Sequence, residues 1–292
     1  MALHAAPPSS RRAAPTPLGE AYARLTAVFP GLRVLELTDG EETPRGNGWI
    51  AAADLAAGGV ALDGFLEWDG AQLRRDYGQE ARPDVIASLG LHRYAWAASL
   101  LITVPWFLCR RVPRPTVADV SVQRTHGRMA VRARDVACLP GDPVASLPGI
   151  RVVADEEALR NEVREATAGH LGPILDAFGP RMRRGRRALW GMATDEVVEG
   201  LWHIARLLGE ERRATAELEA LLPGGTGPYV GAAGFRELTG PAGGAPTGPS
   251  GGPPPTRDRV SCCLFYTLHP TGTCATCPRT CDAERNRRLG AS

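Results

Sequence analysis

The chain closes on VSCCLFYTLHPTGTCATCPRTC, a stretch beginning at Val260 that holds five of its seven cysteines. Cys262 and Cys263 are adjacent, ten residues pass, then Cys274 and Cys277 form a C-x-x-C with Cys281 trailing. Thiols at this density serve disulfides, a zinc ion or an iron-sulfur cluster, and each choice restricts what the rest of the chain has to be. With 292 residues, 43% of them hydrophobic, a sizeable core forms without covalent staples. Cys109 and Cys138 stand alone in apolar surroundings, whereas a disulfide scaffold spreads its cysteines through a small chain. The cluster therefore reads as reduced, metal-binding thiols in a cytoplasmic protein.

The opening MALHAAPPSSRRAAPTPLGE has a pair of arginines with no apolar run behind them, so residues 1–18 read as a disordered leader and not as an export signal. Residues 19–239 read as a helical body. Helices are expected over Glu20 to Phe29, about Pro83 to Arg111, from Asp155, about Arg184 to Leu208, and Glu210 to Leu222. Asp155 is placed to cap its helix, with Leu159, Val163, Ala166 and His170 at helical spacing, and Gly172-Pro173 is expected to break it. Trp190, Val197, Leu201, Ile204 and Leu208 form one stripe, which makes Trp190, and with it Trp202, core residues. DVSVQRTHGRMAVRA alternates apolar and polar residues around His126-Gly127, which predicts a β hairpin near 119–134 with His126 in its turn. Arg33 to Gly78 mixes short apolar runs with Gly and Asp and predicts no element firmly.

GPAGGAPTGPSGGPPPTRD, residues 240–258, has nothing with which to build a core and reads as a Gly/Pro linker spanning on the order of 25 Å. Residues 259–292 are then a cysteine module on a tether. The expected class is mainly α with a small β hairpin or sheet (α+β), a helical body plus this C-terminal module.

Ala95 to Cys109 is the longest apolar run. It contains Pro105 and falls short of the roughly 20 residues that cross a bilayer, so it predicts a buried core helix kinked near Pro105, although a peripheral membrane contact is compatible with it. The net charge is +2 and every one of the 34 basic residues is arginine, a near-neutral balance that argues against a nucleic-acid partner. The Arg181 to Arg187 run reads as a solvated helix start.

Zinc knuckles pair two short C-x2-4-C or H-x3-5-H turns around one tetrahedral ion, and only Cys274/Cys277 has that form. Adjacent cysteines point to opposite sides of an extended strand, so Cys262 and Cys263 reach one centre only if the backbone turns between them. A 2Fe-2S rhomb is a larger target and takes four thiolates in two pairs; Cys262 with Cys263 and Cys274 with Cys277 supply four. The order C-C-x10-C-x2-C, with Arg259 just before it and Phe265-Tyr266 just after the first two cysteines, resembles the ferric-siderophore reductase family of the FhuF type.

The resemblance implies a 2Fe-2S cluster on Cys262, Cys263, Cys274 and Cys277. It also implies transfer of one electron to a bound Fe(III)-siderophore, of hydroxamate type, so that Fe(II) is released. The electron donor expected is a ferredoxin or flavoprotein, with the protein in the cytoplasm or peripheral to the inner face of the cell membrane. Cys281 lies outside the pattern and reads as a bystander. His269 stands alone in the loop, whereas a Rieske centre needs two histidines, so it reads as a nearby or surface residue. No catalytic side chain is assigned by the sequence. The rival is a non-enzymatic zinc- or cluster-binding structural or sensor protein.

Overall fold

The longest apolar run of the chain becomes its central helix. The computed structural model describes residues 16–38, 40–237, 255–269 and 273–290. In chain order these form α1 (Gly19–Val28), β1 (Arg33–Glu36), β2 (Trp49–Ala51), α2 (Ala52–Ala57), α3 (Gly59–Tyr77) and α4 (Pro83–Cys109). There follow β3 (Arg111–Pro113), β4 (Val120–Gln123), β5 (Arg128–Val131), β6 (Val136–Cys138) and β7 (Ile150–Val152). The chain continues with α5 (Glu156–Met182), α6 (Arg186–Leu207), α7 (Glu211–Leu221), β8 (Phe235–Glu237), β9 (Pro255–Arg257) and α8 (Asp282–Gly290). The described residues are thus mainly α with small sheets, as the sequence predicts.

α4 is surrounded by α1, α3, α5 and α6 and buries Leu100, Leu101, Trp106 and Phe107. It is long and apolar enough to cross a membrane by length and composition, yet 72% of its most apolar window is buried inside the protein. Pro105 lacks the N–H that would bond the Leu101 carbonyl one turn back. Tyr22 of α1 supplies the missing donor, its hydroxyl giving a hydrogen bond to the Leu101 oxygen at 2.9 Å. A helix-breaking residue is thereby converted into an interhelical link, and α4 continues to Cys109.

The expected break at Gly172-Pro173 does not occur: α5 runs unbroken to Met182 with Pro173 and Pro180 inside it. Pro173 is on the exposed side, where water can satisfy the carbonyl that proline leaves without a donor, and the buried Leu171, Ile174, Leu175 and Phe178 hold the helix from the other side. Asp155 caps α5 as expected, accepting from the Ala158 N–H at 2.9 Å. The leader boundary also shifts. Leu18 is fully buried and the Pro17 carbonyl accepts from Arg111 at 2.8 Å, while residues 1–15 lie outside the described residues.

The predicted hairpin is β4 and β5, antiparallel with Val122 opposite Met129. β1 adds to β5 in parallel and β2 to β4, giving the order β1-β5-β4-β2. Gly127 ends the turn at φ +57°, and a Cβ there would stand 2.1 Å from the Gly31 carbonyl oxygen, so this position requires glycine. β3-β6-β7 form a second sheet beside α5.

His170 is fully interior, its Nε2 2.9 Å from the Tyr94 hydroxyl. Burial pulls its pKa from 6.5 to about 4. The unfolded chain therefore binds a proton in this window that the folded chain refuses. The resulting stabilisation, about 3 kcal/mol, is complete above pH 6.5 and is lost as pH falls toward about 4. The melting temperature should fall on acidification from pH 6.5, with a shallower slope in His170→Gln; equal slopes would remove His170 as the cause.

Candidate metal centre

The seat of the cysteine segment is a set of carboxylates inside α6. Asp195 and Glu196 fall in the middle of the apolar run of α6, where Met192, Ala193, Val197 and Val198 bury the helix, and both are fully buried themselves. Such charges are stable in the interior only with partners, and the partners arrive from the C-terminal segment. Arg257, also fully buried, donates from Nη2 to Asp195 Oδ1 at 2.9 Å and from Nη1 to Glu199 at 2.9 Å, and its Nε bonds the Ala233 carbonyl at 2.8 Å. Arg259 pairs with Glu196, which also lies 2.6 Å from His92 Nδ1 of α4. Asp195 in addition accepts from the backbone N–H groups of Val260 and Ser261 at 2.9 and 2.8 Å.

These contacts fix the backbone immediately before the first two thiols. The Cys262 carbonyl then accepts from Arg184 at 2.9 Å and the Cys263 carbonyl from Ser88 of α4 at 2.9 Å. The second pair is held to the first by the Arg259 N–H, which donates to the Thr276 carbonyl at 3.1 Å, and is closed by the Cys277 N–H on the Cys274 carbonyl at 3.1 Å. Arg285 of α8 donates to the Cys277 carbonyl at 3.0 Å and pairs with Asp258, while Arg236 of β8 joins Asp258 and Asp282.

All four expected ligands are therefore brought together. The thiols of the two segments lie near enough to act on one another's charge, Cys274 on Cys263 and Cys277 on Cys262. No three His, Cys, Asp or Glu side chains among the described residues converge as closely as a single metal ion demands. Leu73, Val85, Leu89 and Leu268 pack around Cys263 and keep water from it.

The electrostatics favour thiolate at the buried end. The Cys263 thiol is lowered by its hydrogen bond with Cys274, against burial, with help from the Phe265 N–H and from the positive charges of His92 and Arg259. Its partner Cys274 is pushed up by that same bond and by burial. Burial raises Cys262, and the Leu264 N–H, 3.4 Å from Cys262 Sγ, opposes it. Burial works against charge on His92, but the adjacent Glu196 carboxylate prevails and raises its pKa; burial likewise raises Glu196, which His92 and Arg259 pull below its ordinary value.

Cys281 is exposed, and its carbonyl accepts from the N–H groups of Glu284 and Arg285 in the first turn of α8. His269 is exposed and stacks on Phe265, their planes 2° apart, and Arg279 covers Tyr266 at 4.2 Å. Trp190 is buried against Tyr229, and Arg184 of the Arg181 to Arg187 run reaches the cysteine backbone. The linker expected up to residue 258 ends earlier: Pro255–Arg257 pairs with Phe235–Glu237 in an antiparallel ladder. Residues 238–254 lie outside the described residues, and the module is docked on α4 and α6. The sequence reading overlooked Asp195, Glu196, Glu199, His92, Arg257 and Arg285. The one available signal was the Asp195-Glu196 pair inside an otherwise apolar helical stripe.

Residues 259–279 match the family model of the FhuF 2Fe-2S C-terminal domain. Among curated proteins, none matches the chain. The matched segment indicates a 2Fe-2S cluster as cofactor, and the site suits one. Four thiols in two pairs, backbone N–H groups directed at two sulfurs, cations beside Cys263 and an apolar wall are what such a cluster needs.

Asp195→Ala should leave Arg257 with Glu199 as its remaining carboxylate and the N–H groups of Val260 and Ser261 without their acceptor, a loss of about 1–3 kcal/mol felt in the C-terminal segment. Hydrogen exchange in residues 255–285 should accelerate and iron content fall while α4 and α5 stay protected. Unchanged exchange there would show that the carboxylate does not hold the segment.

Proposed function

We propose that the chain is a cytoplasmic ferric-siderophore reductase in which Cys262, Cys263, Cys274 and Cys277 are the cluster ligands. When bound, a 2Fe-2S cluster supplies one electron at a time, the amount that converts Fe(III), held tightly by hard oxygen donors, to Fe(II), held far more weakly. The observation that carries this reading is the pairing of four thiols, within the matched 2Fe-2S segment, on a seat of buried charge in a helical body.

In this reading the chain's own residues divide the work. Arg259 and His92 offset thiolate charge at Cys263, and N–H groups such as that of Leu264 stabilise the sulfurs, both of which tune reduction potential. Leu73, Leu89 and Leu268 exclude water from the buried side. Cys262 and Cys274, less buried than Cys263 and Cys277, form the side through which electrons enter and leave. The electron comes from a ferredoxin or flavoprotein.

Replacing Cys262, Cys263, Cys274 or Cys277 singly by Ser should abolish or sharply reduce iron, sulfide and visible absorbance, and Cys281→Ser should leave them intact. A normal cluster in Cys263→Ser would overturn the ligand assignment, and a colourless protein with stoichiometric zinc would overturn the cluster.

Activity is tested by mixing anaerobically reduced protein with ferric siderophores of hydroxamate and catecholate types while trapping Fe(II). One Fe(II) per cluster should appear as the reduced spectrum is lost. A reduced cluster that persists beside every siderophore, yet reduces a simple ferric salt, would exclude siderophore reduction.

A further inference from the structure

A cavity of about 300 Å³ opens between α3, α4 and the β4-β5 hairpin, lined by Phe65, Trp68, Trp96, Arg93, Arg124 and Arg128 among others. It adjoins the thiol site. Leu73 of α3 and Leu89 of α4 pack with Cys263, whereas Gln72, beside Leu73, and Arg93, four residues after Leu89, line the cavity. The two sets of residues are successive on α3 and one turn, about 6 Å, apart on α4, so both helices border the two sites. None of the six named residues takes part in the seat of the cysteine segment.

The charge of the cavity is one-sided. Asp69, fully buried, takes Arg93 Nη1 at 2.8 Å and both terminal nitrogens of Arg124. Gly90 makes room for that carboxylate, since a Cβ there would stand 2.7 Å from Asp69 Oδ2. Arg124 is further clamped between two rings, its guanidinium 4.5 Å from the Phe65 centroid and 4.6 Å from that of Trp68. Arg128 has no carboxylate partner among the described residues. Three guanidiniums against one carboxylate leave the wall cationic, and the aromatic faces beside them are rigid: Trp96 is braced edge-on by Phe29 at 5.3 Å, while Trp68 is 36% exposed.

We propose that this cavity docks one arm of the ferric chelate and selects anionic chelates with aromatic oxygen donors, the catecholate class, over hydroxamates. This rests on the reductase reading. A tris-catecholate complex of Fe(III) is strongly anionic and presents flat rings, which Arg93 and Arg128 attract and Trp68 and Trp96 stack on. A tris-hydroxamate complex is neutral at the metal and offers neither feature. The volume, at the lower end for small-molecule pockets, admits a planar arm and leaves the metal at the mouth. The hydroxamate expected from the family resemblance is thus the weaker ligand for this chain.

Gallium(III) complexes test the site without redox chemistry, because the cluster cannot reduce them. Calorimetric titration of the full-length, cluster-loaded protein should find the gallium tris-catecholate bound at least tenfold more tightly than the tris-hydroxamate, with affinity falling as salt rises. Arg128→Glu should weaken catecholate binding at least tenfold, and Trp68→Ala severalfold. Trp68 is at the exposed mouth, which covers the case in which Arg128→Glu disturbs β5. Equal affinity for the two chelates, or unchanged affinity in both variants, would overturn the site. If binding fails in this way while ferric siderophores are still reduced, the cavity is wrong and the reductase stands. If binding holds and reduction fails, the cavity stands and the reductase reading falls.

Discussion

Everything at the C-terminal end depends on the buried contact between Asp195 and Arg257. Two opposite charges in an interior gain little net stability over a well-packed apolar pair, because both lose their water. What they confer here is register. Asp195 accepts from Arg257, Val260 and Ser261 at once, so a slip of one residue would withdraw Arg257, bury Asp258 beside a carboxylate and move both cysteines off their partners. The seat lies on α6, which packs against α4, so the thiols inherit the rigidity of the hydrophobic core.

α4 carries both halves of the proposed chemistry. Ser88 and His92 turn toward the cysteine segment, through the Cys263 carbonyl and the Glu196 carboxylate, and the next residues around the helix, Arg93 and Trp96, turn toward the cavity. Neighbouring positions on a helix are rotated by about 100°, so one apolar rod can present two faces to two tasks. α3 repeats the arrangement, with Leu73 and Tyr77 against the cysteine segment and Trp68 and Gln72 at the cavity.

Local signals in the sequence were sufficient for local structure. The alternation around His126-Gly127, the Asp155 cap and the apolar spacing of α4 and α6 report short-range rules, and each corresponds to an element. The four cysteines were legible as a set because their spacing is itself a local pattern. The unbroken α5 and the docking of the module were not legible, since each depends on what a distant segment brings. Pro173 stays helical because the buried face of α5 outweighs the lost hydrogen bond. In the unassigned Arg33 to Gly78 stretch, α2 and α3 likewise owe their form to packing against α5 and α4, and β2 to its ladder with β4. The charges of Asp195 and Glu196 read as solvent-facing in a linear sequence, and only the returning arginines make them interior.

The anchoring of Val260 and Ser261 by Asp195 bears on what orders the thiols that follow. In a zinc finger the chain is ordered by its metal, and the apo form is an unfolded substrate for proteases. Here the backbone ahead of Cys262 is held by protein groups alone. The ordering of this backbone is thus supplied by the protein's own hydrogen bonds, and less of a cofactor's binding energy goes into arranging its thiols.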